Sequence, residues 1–475
     1  MHDGDEGATR IERDSMGEMR VPARALYGAS TQRARLNFPI SGMRLPRRFI
    51  KALGQIKLAA AQTNAELGLI DKVLASAIER AASEMIAGKL DEQFVVDVFQ
   101  TGSGTSTNMN ANEVIAHRAR ALAAANGASL SVHPNDHVNF GQSSNDVIPT
   151  ALHLAAATAI AEELLPALAV LRASLERKSK EFWQVIKTGR THLQDATPIR
   201  LGQEFLGYAG QLERSELRAK AALDELSELA LGGTAVGTGI NTHPQFGRLA
   251  CARLSAVCAL PLRETSNHFQ AQSTLDNAVA ASGALKTIAV SVTKIANDVR
   301  WLGSGPRAGI GELDVPAVQP GSSIMPGKVN PVICESVLMV CAQVIGNDAA
   351  ITIGGQSGNF EINLTMPLVA YDLVQSVELL AAAMKNFAAQ CIDGLKATGR
   401  GPQMVEQGLA ICTALAPIIG YDAAADIAKE AARSGKSIRE VARARTQLSE
   451  QQLKEILDPA AMVEPSAARV GAGGG

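Results

Sequence analysis

At 475 residues the chain is long enough for about two to four domains, or for one long helical core. Hydrophobic residues make up 46% of it and aromatic residues only 4%, so the core must be Ala, Leu, Val and Ile, which suits closely packed helices. The formal net charge of −2 excludes a general electrostatic pull toward nucleic acid or an acidic membrane.

The acidic start, Met1 to Glu6, lacks an apolar run and predicts neither a secretory nor a transit signal. No charge-free stretch of about 18 apolar residues occurs, so no membrane span is predicted. Residues up to about 45 read as irregular, with Pro22, Pro39 and Pro46 and few periodic apolar positions. Helices are predicted over 47–68, 71–88 and 107–125, and the run Phe94 to Phe99 fits strand and helix equally.

Between them lies the polar stretch Thr101-Gly102-Ser103-Gly104-Thr105-Ser106-Thr107-Asn108, ahead of a helix starting near Met109. Hydroxyls and backbone N–H groups at a helix start can bind an anion, although taken alone this stretch reads as a plain cap. His133 and His137 follow, spaced four apart as a metal pair would be. Pro134 interrupts a helix through both, and no HExxH pattern is present, so a polar turn or an anion contact fits better. Gln142-Ser143-Ser144-Asn145-Asp146 then opens a very long helical pattern reaching about Trp183. Pro149 falls in its first turn, where proline is tolerated, and Leu152, Ala156, Ile160, Leu164 and Leu168 recur at helical spacing.

Thr188 to Pro198 reads as a loop bounded by Gly189 and Pro198. A lone histidine is usually structural, but Thr191 and Asp195 beside His192 raise the case for chemistry. A helix over 201–231 leads into a glycine-rich stretch, 231–241, without GxGxxG and without a strand before it, which argues against a dinucleotide site. It reads as a loop that lets backbone approach a site closely. A further helix covers 273–302.

Then comes Gly321-Ser322-Ser323-Ile324-Met325-Pro326-Gly327-Lys328-Val329-Asn330-Pro331. Its glycines and prolines exclude a helix or regular strand, and a Gly/Pro/Ser run alone is most often a surface turn. Bent back on itself, the loop brings Ser322, Lys328 and Asn330 onto one small anion. That chemistry reads as proton abstraction beside a carboxylate, with Ser322 taking the proton and Lys328 and Asn330 holding the charge. A phosphate loop fails on spacing, and Val329 stands where Ser or Thr should follow the lysine.

Helices over 332–351 and 363–395 complete a set of five between 143 and 395. A 30-residue helix is about 45 Å long. Faces this broadly apolar predict a bundle shared between subunits. Past Gly394 the pattern shortens to two small helices within 421–440, and the Gly471 to Gly475 tail is too glycine-rich to be ordered. The expected division is a mixed, mainly helical segment at 1–141, a central five-helix bundle at 142–397 and a small helical domain at 398–475. Two of the gaps among Cys251, Cys258, Cys334, Cys341, Cys391 and Cys412 are seven residues, which puts those pairs on one helical face. All six read as reduced thiols of the cytoplasm.

These clusters together resemble class II fumarate hydratase, of the fumarase/aspartase superfamily, from about Arg10 to about Val463. The resemblance rests on GSSIMPGKVNP at 321–331, TGSGT at 101–105, HPND at 133–136, QSSND at 142–146, GRTHLQDA at 189–196 and GGTAVGTGINTHP at 232–244. It implies a mostly α, three-domain subunit, a homotetramer with one central helix core, and active sites each assembled from three chains. The implied activity is reversible anti hydration of fumarate to L-malate, a tricarboxylic acid cycle step, through an aci-carboxylate intermediate and without metal or organic cofactor. By resemblance Ser322 removes the C3 proton of malate, and His192 acts through a bound water at the leaving hydroxyl. Glu335 pairs with His192 and raises its basicity. Lys328 and Asn330 hold the carboxylate, with Ser323 and Val329 in the same substrate-binding set. Ser103, Gly104, Thr105, Ser143, Ser144, Asn145 and Thr191 complete the cradle, and His133, Pro134, Asn135 and Asp136 form a second anion site.

The physical need is plain. A proton next to a carboxylate is barely acidic, so donors must be preset around the dianion that forms, and one such donor can be worth about 3 kcal/mol. A serine base likewise needs a cation and amides to stabilise its alkoxide. Two positions depart from the family pattern. Leu130 stands where a basic residue often precedes HPND, and Gln270 replaces a glutamate in Asn267-His268-Phe269-Gln270-Ala271. Aspartate ammonia-lyase shares the loop chemistry, but relatives of that type often have Ala at the place of Gly327 and lack Thr242-His243-Pro244. A catalytically silent helical scaffold is the alternative of another class.

Overall fold

Charge, rather than hydropathy, organises residues 7–40. The computed structural model describes residues 7–467 and 470; the acidic start at 1–6 and the glycine tail at 471–475 lie outside the described residues. Thr9–Asp14 and Gly17–Pro22 form an antiparallel hairpin, and Ala29–Asn37 is a helix. This corrects the expectation of an irregular segment. The strands alternate half-buried and exposed residues that are mostly polar, so a search for apolar periodicity passes over them. Arg10 ties the hairpin down by donating to the carbonyls of Pro22, Ala25 and Tyr27 at 2.6 to 3.0 Å. The helix has no side-chain cap of its own. Buried Glu113 accepts from the N–H groups of Gly28, Ser30 and Thr31 instead, which sets a carboxylate against the positive helix end.

The chain divides into two units. The first comprises residues up to Pro166, Glu216–Ala289 and Cys341–Ala381; the second comprises Ala167–Ser215, Val290–Val340 and residues from Ala382 on. Five long helices, Ser144–Glu181, Leu201–Glu225, Asp276–Leu302, Val332–Gly355 and Met366–Gln390, carry the mostly α fold. The first contains a π turn at Ile160–Leu164, and Leu152, Ile160, Leu164, Leu168 and Leu171 along it are fully buried.

In the first unit Arg47–Glu66 and Lys72–Ile86 precede Thr105–Ala125. Phe94 to Phe99 is neither helix nor strand, because Asp97 folds the chain around its carboxylate, which accepts from the N–H groups of Ser41, Gly42 and Phe99. Leu201–Glu225 stops six residues short of the expected Leu231, as Glu228–Leu229 turns out to pair in parallel with Arg263–Glu264.

In the second unit the expected loop at 188–198 is an antiparallel hairpin, Ile186–Thr191 with Gln194–Arg200. Its residues lack strand-like alternation, and four charges fix it instead. Lys187, on the first strand and 1% exposed, reaches Glu204 at 2.7 Å and Glu312 at 3.2 Å, while Arg190 reaches Glu312 at 2.8 Å. Removing one member of such a buried set strands the rest, which typically costs about 3–5 kcal/mol. The C-terminal helices Arg400–Gln407, Tyr421–Ser434, Ile438–Arg445 and Glu450–Ile456 follow, with Ile411, Leu415, Ile427, Val441, Leu453 and Leu457 forming an apolar core there.

None of the six cysteines is in a disulfide, and the two seven-residue pairs each share one helix. By length and composition alone, four of the long helices are apolar enough to cross a membrane. Each also carries polar groups: buried Asp146 and His153, Ser282, Asp348, and Asp372 lie on them, and Ser282 donates to Asp348 at 2.8 Å.

Candidate active site

Two helix N-termini lie side by side in the first unit. Gly104, in the left-handed region at φ +72, begins the Thr105–Ala125 helix, and an added Cβ there would meet Ile148 of the Ser144–Glu181 helix at 2.8 Å. Asn108 on one helix donates to Ser144 Oγ on the other at 3.2 Å. Ser103 Oγ and Thr105 Oγ1 share a hydrogen bond of 2.9 Å. Ser143 caps the second helix, its Oγ accepting from the Asn145 N–H, while Asp146 accepts from the Ser143 N–H. Hydroxyls and N–H groups thus converge where two helix dipoles are positive, which suits an anion. Ser103, Ser143, Ser144 and Asn145 are all half-buried, open enough to meet one.

Beneath this cradle lies a charged pair that the sequence reading missed. Lys57 and Asp146 are both fully buried. Burial pushes the Lys57 ammonium down to about 7, against the attraction of Asp146. Burial pushes Asp146 up to about 6, against the N–H groups of Ser143, Gly232 and Thr234 and the charge of Lys57. One signal was present in the sequence. Lys57 falls on the same helical stripe as Leu53, Ala60 and Ala61, all of them core residues. The glycine-rich 231–241 stretch does approach the cluster closely, since Gly232 and Thr234 donate to Asp146 at 3.0 Å and Asn145 donates to the Ala235 carbonyl at 2.8 Å.

The HPND segment forms a single π turn, Pro134–Val138. His133 Nδ1 accepts from the N–H groups of Asn135 and Asp136, and His137 Nδ1 accepts from the His133 N–H. Each ring thereby spends one nitrogen on the backbone, and Asp136 lies 3.2 Å from His133 Nδ1.

In the second unit the 321–331 loop closes on itself. Asn330 Nδ2 donates to the Gly321 carbonyl at 2.8 Å, and Lys328 Nζ donates to Asn330 Oδ1 at 2.5 Å. The two ends approach so closely that a Cβ on Gly321 would lie 2.1 Å from the Lys328 carbonyl oxygen. Ser322 Oγ accepts two backbone N–H groups, from Ile324 at 3.3 Å and Met325 at 3.0 Å. Donors aimed at a hydroxyl oxygen stabilise the alkoxide that remains when its proton leaves. Ser323, Lys328 and Val329 are exposed, and Ser322 and Asn330 half-buried.

His192 occupies the tip of the 186–200 hairpin. Thr191 pairs with Gln194, so His192 and Leu193 form a two-residue turn, with φ of +57 and +60. That turn favours Asn-Gly, and two side chains held in the left-handed region store about 1 kcal/mol or more each. Strain kept at an exposed histidine marks a position where orientation matters. Glu335 stands in the first turn of Val332–Gly355. Among the described residues no hydrogen bond or ion pair joins its side chain to His192 within one chain. A cleft of about 670 Å³ at the hairpin is lined by Arg190, Thr191, Glu204, Tyr208, Lys294 and Asp298, and Thr191 is the one expected substrate-binding or catalytic residue in its lining.

Comparisons with known proteins bear on the whole chain. The lyase family model matches residues 17–346, and the fumarase C C-terminus model matches residues 411–464. A class II fumarate hydratase of Xylella fastidiosa is 51% identical over 467 residues, covering 98% of each chain. One of Halobacterium salinarum is 54% identical, over 95% of this chain and 97% of its own. The crystal structure of recombinant class II fumarase from Schistosoma mansoni superposes with a TM-score of 0.93 at 39% identity, covering 96% of this chain and 99% of that one.

Proposed function

The chain belongs to the class II fumarate hydratases, and from that premise we propose how its own residues carry the reaction. It is a lyase that hydrates fumarate. In the malate-to-fumarate direction Ser322, as its alkoxide, takes the C3 proton on Oγ and becomes a hydroxyl. The electron pair moves onto the adjacent carboxylate, giving the aci form, whose doubled charge Lys328 and Asn330 hold. The C2–O bond then breaks, and the departing hydroxide leaves as water with a proton delivered from His192 through a bound water. Hydration runs the same steps backward. Ser103, Gly104, Thr105, Ser143, Ser144, Asn145, Thr191, Ser323 and Val329 form the substrate cradle. The steps as written call on no metal and no organic cofactor.

The observation that carries this reading is the pair of N–H donors on Ser322 Oγ, within a loop that also gathers Lys328 and Asn330. A serine so placed is prepared to lose its proton, as a base must be.

We also propose a homotetramer in which three chains contribute to each site, so that Glu335 of one copy meets His192 of another. Exposed Leu217, Val290, Met339 and Ile353 on the long helices favour such an assembly, since solvent contact with them is unfavourable. His133 to Asp136 form a second anion site in this reading, using the one ring nitrogen of His133 that the backbone leaves free. Six cysteines without a disulfide suit a cytoplasmic setting.

The test gives purified protein fumarate alone, then fumarate with ammonium. Malate from fumarate alone is expected. Aspartate formed only with ammonium would make the protein an ammonia-lyase, and no product from either would make it a scaffold.

A further inference from the structure

Lys57 is a fully buried lysine on the Arg47–Glu66 helix, and nothing in the proposed reaction uses it. Lysine is seldom fully buried, and an ammonium away from water is costly unless its donors are met. Here two of its three donors are met, both by one short segment. Nζ donates to Asn139 Oδ1 at 2.9 Å and to Gln142 Oε1 at 3.0 Å. Asn139 Oδ1 also accepts from Asn108 Nδ2 at 3.2 Å, and that same Nδ2 donates to Ser144 Oγ at 3.2 Å. The segment is laced to itself as well. Asn139 Nδ2 donates to the Gln142 carbonyl, and Gln142 Nε2 donates to the carbonyls of Val138 and Phe140.

Asp146, the other buried group, takes N–H groups from Ser143, Gly232 and Thr234. The cradle is therefore tied through hydrogen bonds to two buried ionisable groups of opposite sign, Lys57 by way of Asn139, Gln142 and Asn108, and Asp146 directly. Each charge spends its hydrogen bonds on the cradle's own backbone and side chains, or on the residues that support them. A stretch of chain held at both ends in this way has little freedom to turn its hydroxyls elsewhere.

We infer that Lys57 is a positioning residue, which sets the orientation of Ser143, Ser144 and Asn145 through Asn139, Gln142 and Asn108. It does not touch substrate. The inference rests on the reading of 143–145 as a carboxylate cradle. A cradle that grips substrate and transition state alike governs KM more than kcat.

The test uses the full chain with Lys57→Met, Asn139→Ala and the double variant, measured by fumarate hydration and by amide hydrogen exchange. Each single change is expected to raise KM about tenfold or more while kcat stays within about threefold. The double variant should be no worse than the worse single one, because both cut the same chain of bonds. Exchange should quicken over 139–146 and stay unchanged over 421–456. Unchanged KM in both singles, effects that multiply in the double, a loss confined to kcat, or unaltered exchange over 139–146 would each overturn the inference. If Lys57→Met does not fold, Asn139→Ala alone carries the KM and exchange criteria. If the unmodified protein does not hydrate fumarate, the cradle's substrate reading falls separately. Exchange over 139–146 then decides whether Lys57 orders the segment.

Discussion

Two stretches of this chain set neighbouring serines near an asparagine, and they are built in opposite ways. Ser143, Ser144 and Asn145 stand at a helix N-terminus, with a second helix end beside them and the buried charges of Lys57 and Asp146 below. Ser322, Ser323 and Asn330 stand in a loop without regular structure, closed by its own side chains and by the close approach of Gly321 to Lys328. The first presents fixed donors and offers no base. The second aims two amides at one hydroxyl and keeps a lysine within the same turn. Rigid donors suit holding a carboxylate that does not change. A hydroxyl with its own preset amides suits a proton that must move.

The largest effect should come from Ser322→Ala, which removes the base. We expect kcat to fall about a thousandfold or more, or about 4 kcal/mol in the barrier, with the oligomer intact by sedimentation. Near-normal turnover would erase the distinction between loop and cradle. Next comes Gly321→Ala. Its Cβ would collide with the Lys328 carbonyl oxygen, so the loop must open, and kcat should drop about a hundredfold while the melting temperature hardly moves. Asn145→Ala acts on the other side of the comparison. Its KM for fumarate should rise about tenfold with kcat little changed, and a loss confined to kcat would place Asn145 with the chemistry instead.

How much of this was legible depends on whether the residues are contiguous. The Ser322 loop was readable because hydroxyl, lysine and amide fall within nine positions and the glycines show where the chain must turn. The long helices were readable from their apolar spacing, to within a few residues at their ends. The 186–200 hairpin was not, since Lys187 and Arg190 stabilise it through Glu312, more than a hundred positions along the chain, with Glu204 on the following helix. Lys57 was missed for a related reason. A lysine is ordinarily taken as solvated, and its acceptors lie more than eighty positions away. Strain at His192 and Leu193 belongs to the backbone and leaves no mark on residue type. His192→Asn tests it: kcat should fall about tenfold, because water partly replaces the ring, and the pH profile of turnover should change shape. An unaltered profile would remove His192 from acid–base work and leave it a hinge residue.

The smallest effect is a slope rather than a loss, and it probes the charges beneath the cradle. Asp146 is faced by the N–H groups of Ser143, Gly232 and Thr234 and by Lys57, yet burial outweighs them and raises its pKa from 3.8 to about 6. Folded protein thus holds this proton more tightly than unfolded chain does. Its stabilising contribution is complete below about pH 3.8 and is lost as pH rises through about 6. For Lys57 the pKa falls from 10.5 to about 7, so folding expels a proton, and stability rises with pH between about 7 and 10.5. The two windows do not overlap, which lets each charge be read separately. Denaturant midpoints at fixed protein concentration should show unmodified protein losing ground to Asp146→Asn between pH 4 and about 6.5. It should gain ground on Lys57→Met between about pH 7 and 10. Parallel curves in both windows would mean that these groups are not the buried charges on which the cradle rests, and the contrast with the self-closed Ser322 loop would lose its physical cause.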